Sequence, residues 1–418
     1  MSAGAEGAKR WTGASGALFC IWALLAALPA ESGAQLAVQG ETVYTMAGEV
    51  LEDGVVLVGP DGTIEEVGPG DRISVPDGYR VVSGSVVTPG LVDARTVVGL
   101  SGHLNIPDDQ DQLDEGHAIQ PELRAMDAYN ARERLVEWVR NHGVTTLHTG
   151  HGPGALMSGQ TMTVKAVGRS ADEAVIDSVA GVAMHLGPEV SATFSPNPGT
   201  RSRGVAMIRQ EFLRAQAHLD QAANDDSEAR TSSDLRVEIL SRVLEGEVPA
   251  YMTAHQVSEI MAALRLHREF DFPMVLVGAA EAYRVADVVA DAGVPVILHP
   301  TMARHQGSLE HASFESARRL LDAGIEVALH SGYEPYVPKT RVVLFEAAPL
   351  VAHGLSVEEA LATVTTHAAR AIGQDHRVGS LEPGKDGDLA IFDGDPLEYV
   401  TRVCTVVIEG EVVSDECH

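Results

Sequence analysis

Histidines recur at the places where predicted buried strands end. Histidine binds transition metals through a ring nitrogen and exchanges protons near neutral pH. The candidate catalytic residues are His148, His151, His299 and His330, with Lys165 or Glu334 assisting. Any one of these histidines, taken alone, is better explained as a polar residue at the barrel mouth held by hydrogen bonds. The group as a whole favours a functional pocket, in which the histidines are metal ligands or acid and base.

A second set of residues could contact a small ligand beside those histidines. Two glycine-rich stretches, residues 149–154 and 158–160, would let the backbone approach a ligand closely. Arg201 could hold a carboxylate through two parallel hydrogen bonds, although a plain surface arginine is the alternative. The candidate substrate-binding residues are Arg95, Gly152, Gly154, Gln160, Arg201 and His255.

Strands and helices alternate regularly after residue 86. The predicted strands are Val86–Asp93, Val144–Thr149, Thr161–Ala166, Val182–Leu186, Pro249–Thr253, Pro273–Val277, Val294–Leu298 and Ile325–Leu329. The predicted helices are Glu122–His142, Val205–Ala223, Leu235–Glu245, His255–Phe270, Glu281–Ala292, Phe314–Ala323, Arg341–His353 and Val357–Ile372. About eight strand–helix units predict a closed (β/α)8 barrel, whose working residues lie at the carboxyl ends of the strands.

A doubly wound open sheet is the structural alternative to the barrel. The sequence contains no GxGxxG or GxxxxGK[ST] phosphate loop that would support nucleotide binding in such a sheet. The predicted α/β fold is therefore the barrel.

Both ends of the mature chain have a pattern of short predicted strands separated by turns, unlike the middle of the chain. Short valine-rich runs separated by Pro-Asp-Gly turns fill residues 36–88, and a similar pattern returns at 378–414. We predict a small composite β-sandwich domain built from residues 35–88 and 376–418, with the barrel at 89–375 inserted between them.

Residues 1–34 have the features of a secretory signal peptide. Lys9 and Arg10 precede an apolar run that ends at Pro29, and Ser32-Gly33-Ala34 is a small-residue cleavage signal. We therefore expect an exported protein, periplasmic or extracellular, with no stable membrane insertion after cleavage. Cys404 and Cys417 flank a predicted hairpin, and either a disulfide or two free thiols is compatible with that position.

The charge of the chain excludes several classes of partner. The 418 residues carry 59 Asp+Glu against 30 Lys+Arg, a formal net charge of −29. Nucleic acid and anionic lipid both attract basic surfaces, so neither is an expected partner. A small-molecule ligand is the expected partner. A homo-oligomer is also considered, although no interface stripe is visible.

The sequence contains three distinctive segments, TPGLVDA at 88–94, GTRSRGV at 199–205 and GSLEPGKDGDL at 379–389. Together these segments resemble the amidohydrolase superfamily, in its exported, imidazolonepropionase-related branch. The last segment is very close to the C-terminal signature of that superfamily. The resemblance implies a metal-dependent (β/α)8 hydrolase of non-peptide C–N bonds with a composite β domain.

The metal-ligand positions of the superfamily do not carry over to this sequence. The resemblance places its ligands at Arg95, Val97, Thr253, Gly278 and Gly332. Arginine stays protonated, and glycine and valine have no side-chain donor, so the usual divalent metal does not fit these residues.

Two hypotheses follow. In the first, a hydrolase of C–N bonds works with a degenerate metal site, and zinc or a similar ion is present only if relocated histidines bind it. In the second, a non-catalytic relative binds a small ligand or a protein partner outside the cytoplasm.

Overall fold

The amino-terminal strands belong to a sheet that lies outside the barrel. A computed structural model describes residues 35–104, 106–224, 234–333 and 342–418. The first strands are β1 (Leu36–Val43), β2 (Leu51–Val58), β3 (Ile64–Pro69) and β4 (Arg80–Pro89). β1 pairs antiparallel with β2 and parallel with β4, and valines of these strands form a separate small core.

The next eight strands form the barrel that was predicted. They are β5 (Leu91–Thr96), β6 (Val144–Gly150), β7 (Met157–Lys165), β8 (Val175–His185), β9 (Ala250–Ala254), β10 (Met274–Gly278), β11 (Val296–Leu298) and β12 (Val327–Leu329). Each strand pairs with the next one in sequence. A parallel bridge between Thr96 and Gly332 joins the first strand to the region after the last. The predicted barrel is confirmed by this closure.

The direction of β7 differs from that of the other barrel strands. β7 pairs antiparallel with both β6 and β8, whereas β8 to β12 are parallel. The connection between β6 and β7 is only residues 151–156, and a parallel connection needs roughly a dozen residues or more. The carboxyl end of β7 therefore lies at the opposite end of the barrel from the carboxyl ends of its neighbours.

The carboxyl-terminal strands complete the small sheet. They are β13 (Leu389–Phe392), β14 (Val403–Ile408) and β15 (Glu411–Ser414), and the sheet order is β15-β14-β13-β4-β1-β2-β3. This order confirms the predicted composite domain from both ends of the chain. A disulfide joins Cys404 to Cys417, so the first of the two alternatives for these cysteines is the one found.

Helices cover the outside of the barrel. They are α1 (Arg134–Asn141), α2 (Ala171–Ala174), α3 (Pro188–Thr193), α4 (Arg201–Asn224), α5 (Leu235–Leu244), α6 (Val257–Phe270), α7 (Ala286–Ala292), α8 (Ser316–Asp322), α9 (Val343–Ala352), α10 (Val357–Ala362) and α11 (Thr366–Ala371). Short 3-10 turns occupy Pro107–Asp109, Ala125–Asp127, Ala282–Val285 and Gly307–Leu309.

Two predicted helices are interrupted by hydrogen bonds to the barrel. The predicted helix 357–372 divides into α10 and α11, because the carbonyls of Thr363 and Val364 accept the amides of Leu329 and Val92. The predicted helix 122–142 is helical only in α1, since its first part includes Leu123, whose carbonyl accepts the Gln160 amide. Tertiary contacts thus override helical periodicity at both places.

The predicted signal peptide, residues 1–34, lies outside the described residues. Among the helices that are described, none is both long and apolar enough to cross a membrane.

Candidate functional site: the barrel mouth

Arg95 lies at the carboxyl end of β5 and is almost fully buried, with 2% of its surface exposed. Its Nη1 donates to the Thr96 carbonyl at 2.8 Å, and its Nη2 donates to the His151 carbonyl. Burial lowers the pKa of Arg95, and the nearby Tyr333 and Asp93 act against that lowering. Within the described part of the chain, the guanidinium forms no ion pair. Among the described residues, only neutral groups form direct hydrogen bonds with this buried cation at the barrel mouth.

Asp93, two residues earlier on β5, accepts the backbone amide of Arg95 at 3.4 Å and forms its shorter hydrogen bonds with Ser331. One of its oxygens accepts the Ser331 amide at 3.0 Å, and the other accepts the Ser331 hydroxyl. Burial raises the pKa of Asp93 to about 6, against the lowering effect of the Ser331 hydrogen bonds. Because Ser331 follows β12, these bonds close the barrel between its first and last strands.

His148 is held on both sides and is a packing residue of the interior. Its Nδ1 donates to the Ala94 carbonyl at 2.9 Å, and its Nε2 accepts from the Thr161 hydroxyl at 2.7 Å. The ring packs against Tyr251 at 4.2 Å between centroids. Burial, followed by the charge of Arg95, lowers the pKa of His148 to about 3. With both nitrogens engaged, this neutral ring has no lone pair for a metal.

His299 and His330 each offer one unpartnered ring nitrogen to the mouth. Nδ1 of His299 contacts the Pro300 carbonyl at 2.9 Å, and Nδ1 of His330 accepts the Gly332 amide at 3.1 Å. In both residues, Nε2 is buried without a hydrogen-bond partner. Burial lowers the pKa of His299 to about 4 and that of His330 to about 3, so both rings are neutral.

His255 and His185 continue the histidine group across β9 and β8. Burial lowers the pKa of His255 to about 3, and the proximity of His185 and His299 lowers it further. Nδ1 of His255 has no partner, and neither ring nitrogen of His185 has one. Nε2 of His185 lies 3.5 Å from a carboxylate oxygen of the half-exposed Glu189, too far for a strong hydrogen bond.

His151 packs against a glycine that makes room for it. A Cβ at Gly159, where φ is +141°, would lie 2.2 Å from a ring carbon of His151. Neither ring nitrogen of His151 has a partner, and burial followed by the charge of Arg95 lowers its pKa to about 4. The glycine-rich stretch thus accommodates this ring.

Gly152 and Gly154 both contact the loop that contains residues 112–113. The Gly152 amide donates to the Gln112 carbonyl at 2.7 Å, and a Cβ at Gly154 would lie 2.5 Å from Leu113. Gln160 donates through Nε2 to the Pro121 carbonyl at 3.3 Å. These residues hold the loop around residues 112–121 against the barrel, and their role in ligand binding stays a prediction.

Lys165 is not at the mouth, and its expected place beside the histidines is wrong. It ends the antiparallel β7 and pairs with Thr146 near the start of β6. Its ammonium lies 2.7 Å from Asp386 and 2.8 Å from Asp388, with 4% of the side chain exposed. Burial alone would lower the pKa of Lys165, but the two aspartates raise it overall. A lysine so charged is a poor candidate for catalysis or carbamylation.

The remaining predicted residues lie at the rim or outside the described chain. Arg201 begins α4 and donates to the Ser258 hydroxyl at 2.6 Å, with Glu259 at 3.5 Å, so it is already paired. Glu334 lies outside the described residues.

Sequence reasoning missed two residues of the mouth. The ring of Tyr333 lies under the Arg95 guanidinium at 5.4 Å and beside the His330 ring at 5.0 Å. Burial raises the pKa of the Tyr333 hydroxyl to about 12, and a hydrogen bond with the Thr253 side chain acts against that rise. Ser331 is the other. Both follow β12 directly, so their distance from the strand end was the signal that could have found them.

The residues at which the resemblance places metal ligands do not fit a divalent metal. They are Arg95, Val97, Thr253, Gly278 and Gly332. Gly278 could not be exchanged for a ligand without movement, because a Cβ there would lie 2.3 Å from the His255 ring. In the part of the chain that the structure describes, no three His, Cys, Asp or Glu side chains are grouped to hold an ion.

A closed barrel with a composite sheet and polar residues at the strand ends defines an amidohydrolase-type barrel protein. The sequence pattern described as "Amidohydrolase family" matches residues 118–414, most of the chain. This chain belongs to that family.

Relatives with known names agree with the resemblance found in the sequence. The imidazolonepropionase of Geobacillus kaustophilus is 27% identical over 82% of this chain and 84% of its own. That of Brevibacillus brevis is 25% identical over 88% of this chain and 91% of its own. A crystal structure of an amidohydrolase from Thermotoga maritima superposes with a TM-score of 0.85 at 27% identity, covering 91% of this chain and 100% of the other. The expected imidazolonepropionase-related branch is confirmed.

Proposed function

We propose that this protein is a non-catalytic amidohydrolase relative that binds a small molecule at the barrel mouth. One observation carries the proposal: Arg95, Val97, Thr253, Gly278 and Gly332 stand where the resemblance places metal ligands. Without a metal, water keeps a high pKa and is a poor nucleophile at neutral pH. The neutral histidines are weak bases, since their pKa values lie at about 3 to 4.

The case for ligand binding comes from unpartnered polar atoms. Among the described residues, one or both ring nitrogens of His151, His185, His255, His299 and His330 are buried with no hydrogen-bond partner. Buried polar atoms in folded proteins almost always have such a partner, because each unsatisfied one costs about 1–3 kcal/mol. A concentration of them at one end of a barrel is a reason to expect a polar ligand there.

Hydrolysis of a non-peptide C–N bond is the second candidate function. Similarity to imidazolonepropionases over 82% of the chain favours it. It would require a nucleophile activated by a route other than the usual metal centre.

Metal analysis combined with an activity assay separates the two candidates. We expect the purified protein to hold less than about a tenth of an equivalent of Zn, Mn, Fe or Ni. We also expect it to release no product from a panel of small amides and lactams, with or without added ZnCl2. A full equivalent of tightly bound metal, together with hydrolysis that a chelator abolishes, would overturn the proposal in favour of the second candidate.

We also propose that the protein works outside the cytoplasm. The composition of residues 1–34 and the Cys404–Cys417 disulfide support this location, since disulfides persist in oxidising compartments. Amino-terminal sequencing of the secreted protein should begin at Gln35. Recovery of the intact chain from the cytoplasm alone would contradict it.

A further inference from the structure

A groove between α4 and α5 lies on the outside of the barrel, apart from the mouth. Its volume is about 560 Å³. Glu247, which lines the groove, precedes β9, so the groove lies toward the amino ends of the barrel strands. The charged side chains of its wall are four carboxylates and one guanidinium, those of Asp220, Glu238, Glu245, Glu247 and Arg242.

Two of these carboxylates are available to a ligand. Glu247 forms an ion pair with Arg242 at 3.2 Å. Among the described residues, neither Glu238 nor Glu245 forms an ion pair or a side-chain hydrogen bond. The last residues of α4 also line the groove, and the carboxyl end of a helix carries a partial negative charge. The groove is therefore a region of negative potential that attracts cations.

Ser241 indicates a ligand independently of charge. It lies between Glu238 and Glu245 on one face of α5, because side chains three and four residues apart are neighbours on a helix. Only 6% of its surface is exposed, and it lines the groove. Its Oγ is buried without a hydrogen-bond partner among the described residues. Since buried hydroxyls are nearly always bonded, this oxygen is left to accept from a donor in the groove.

The dimensions of the groove favour an extended organic cation over a metal ion. One water molecule fills roughly 30 Å³ in the liquid, so a groove of about 560 Å³ has room for a chain of many atoms. His218 also lines the groove, but no three His, Cys, Asp or Glu side chains of the described residues are grouped to hold an ion. Leu219 and Ala222 of α4 form an apolar part of the wall, which suits methylene groups.

The spacing of the two available carboxylates sets the length of the ligand. Glu238 and Glu245 are seven residues apart, which corresponds to about 10 Å along a helix. A cation that contacts both must therefore carry its charges at the two ends of a chain.

We propose that this groove binds a linear aliphatic diamine or polyamine. One ammonium group contacts Glu238 and another contacts Glu245, and one of them also donates to Oγ of Ser241. The methylene groups between them lie against Leu219 and Ala222. This site is separate from the barrel mouth and does not depend on the function proposed for it.

Four probes test the inference on the unaltered protein at an ionic strength of about 0.15 M, which screens general attraction to the acidic chain. 1,7-Diaminoheptane, putrescine and Mg²⁺ carry the same charge but differ in length, and 1,7-heptanediol has the chain without the charge. Calorimetry at concentrations up to about 5 mM should show binding of 1,7-diaminoheptane, an affinity about five- to tenfold lower for the shorter putrescine, and no measurable binding of Mg²⁺ or the diol.

Variants assign the binding to the groove. Glu238→Gln and Glu245→Gln should each weaken the binding of 1,7-diaminoheptane about tenfold, because each removes one charged acceptor. Ser241→Ala should weaken it about threefold without changing the net charge, and alanine favours the helix. Glu137→Gln is the matched control, since it removes the same charge from an exposed position on α1 and should bind the diamine as the wild type does.

Several outcomes would overturn the site. Equal responses to Mg²⁺ and 1,7-diaminoheptane would show only a general attraction of cations to an acidic protein. Absence of diamine binding, or an equal loss in Glu137→Gln and in the groove variants, would reject the groove, and so would wild-type affinity in Ser241→Ala. None of these results changes metal content or hydrolysis, so the function proposed for the mouth stands or falls separately.

Discussion

At the scale of single residues, the mouth is shaped by glycines that make room for histidine rings. Gly278 ends β10 with φ of +83°, and a Cβ there would lie 2.3 Å from Cε1 of His255. The superfamily resemblance places a histidine ligand at this position. In this chain, the ring of His255, which follows the neighbouring β9, occupies the space beside the end of β10.

Gly278→Ala should therefore destabilise the protein by about 3 kcal/mol, the sum of backbone strain and a forced movement of a buried ring. Gly293→Ala is the matched control, since Gly293 also has positive φ, at +66°, but a Cβ there would meet nothing within 4 Å. Urea unfolding measures the loss of stability in both variants. Equal losses of stability in the two variants would show that His255 does not occupy the space.

The sequence identified the histidines at strand ends but could not separate their roles. His148 lies near the end of β6 and His330 directly follows β12, yet the first has both ring nitrogens bonded and the second has an unpartnered Nε2. The difference depends on Thr161 and Ala94, which reach His148 from other strands. Partners so distant in sequence leave no local pattern.

At the scale of elements, the reversed β7 changes what its last residue does. Lys165 therefore lies away from the barrel mouth, where it forms ion pairs with Asp386 and Asp388, which precede β13. The sequence predicted the strand β7 correctly but did not predict that it runs antiparallel to its neighbours. The short 151–156 connection contained the information needed, because so few residues cannot cross back to start a parallel strand.

Lys165→Met should lower the free energy of unfolding by about 3–5 kcal/mol, because it leaves the buried Asp388 without its counter-ion, whereas Asp386 keeps Arg377 at 2.8 Å. Arg169→Met, beside the same strand, removes an exposed ion pair with Glu173 and should cost less than about 1 kcal/mol. Chemical denaturation compares them. A loss as small for Lys165→Met as for the control would contradict the buried ion pair.

At the scale of the whole molecule, burial of many neutral histidines makes stability depend on pH. The pKa values of His148, His255 and His330 are lowered to about 3, and those of His151, His185 and His299 to about 4. In the unfolded chain, each takes up a proton near pH 6.5. Asp93 acts in the opposite sense, since its pKa of about 6 lies above its unfolded value.

The unfolded state thus binds more protons than the folded state between about pH 6.5 and 4, so the free energy of unfolding should fall as the pH falls through that window. Asp93 opposes this fall, because its folded form gains the proton first. Asp93→Asn should therefore steepen the decline, whereas Asn at the exposed Asp172 should not change the slope. Urea midpoints across this window measure the slopes, and a flat wild-type profile would contradict buried, neutral histidines.

The Lys165 contact has a consequence for the order in which the chain can acquire its structure. Lys165 and Asp388 are 223 positions apart in sequence. During synthesis, the ammonium of Lys165 emerges from the ribosome long before either aspartate exists to neutralise it. The buried ion pair of Lys165 can therefore form only after residues 386–388 have been made.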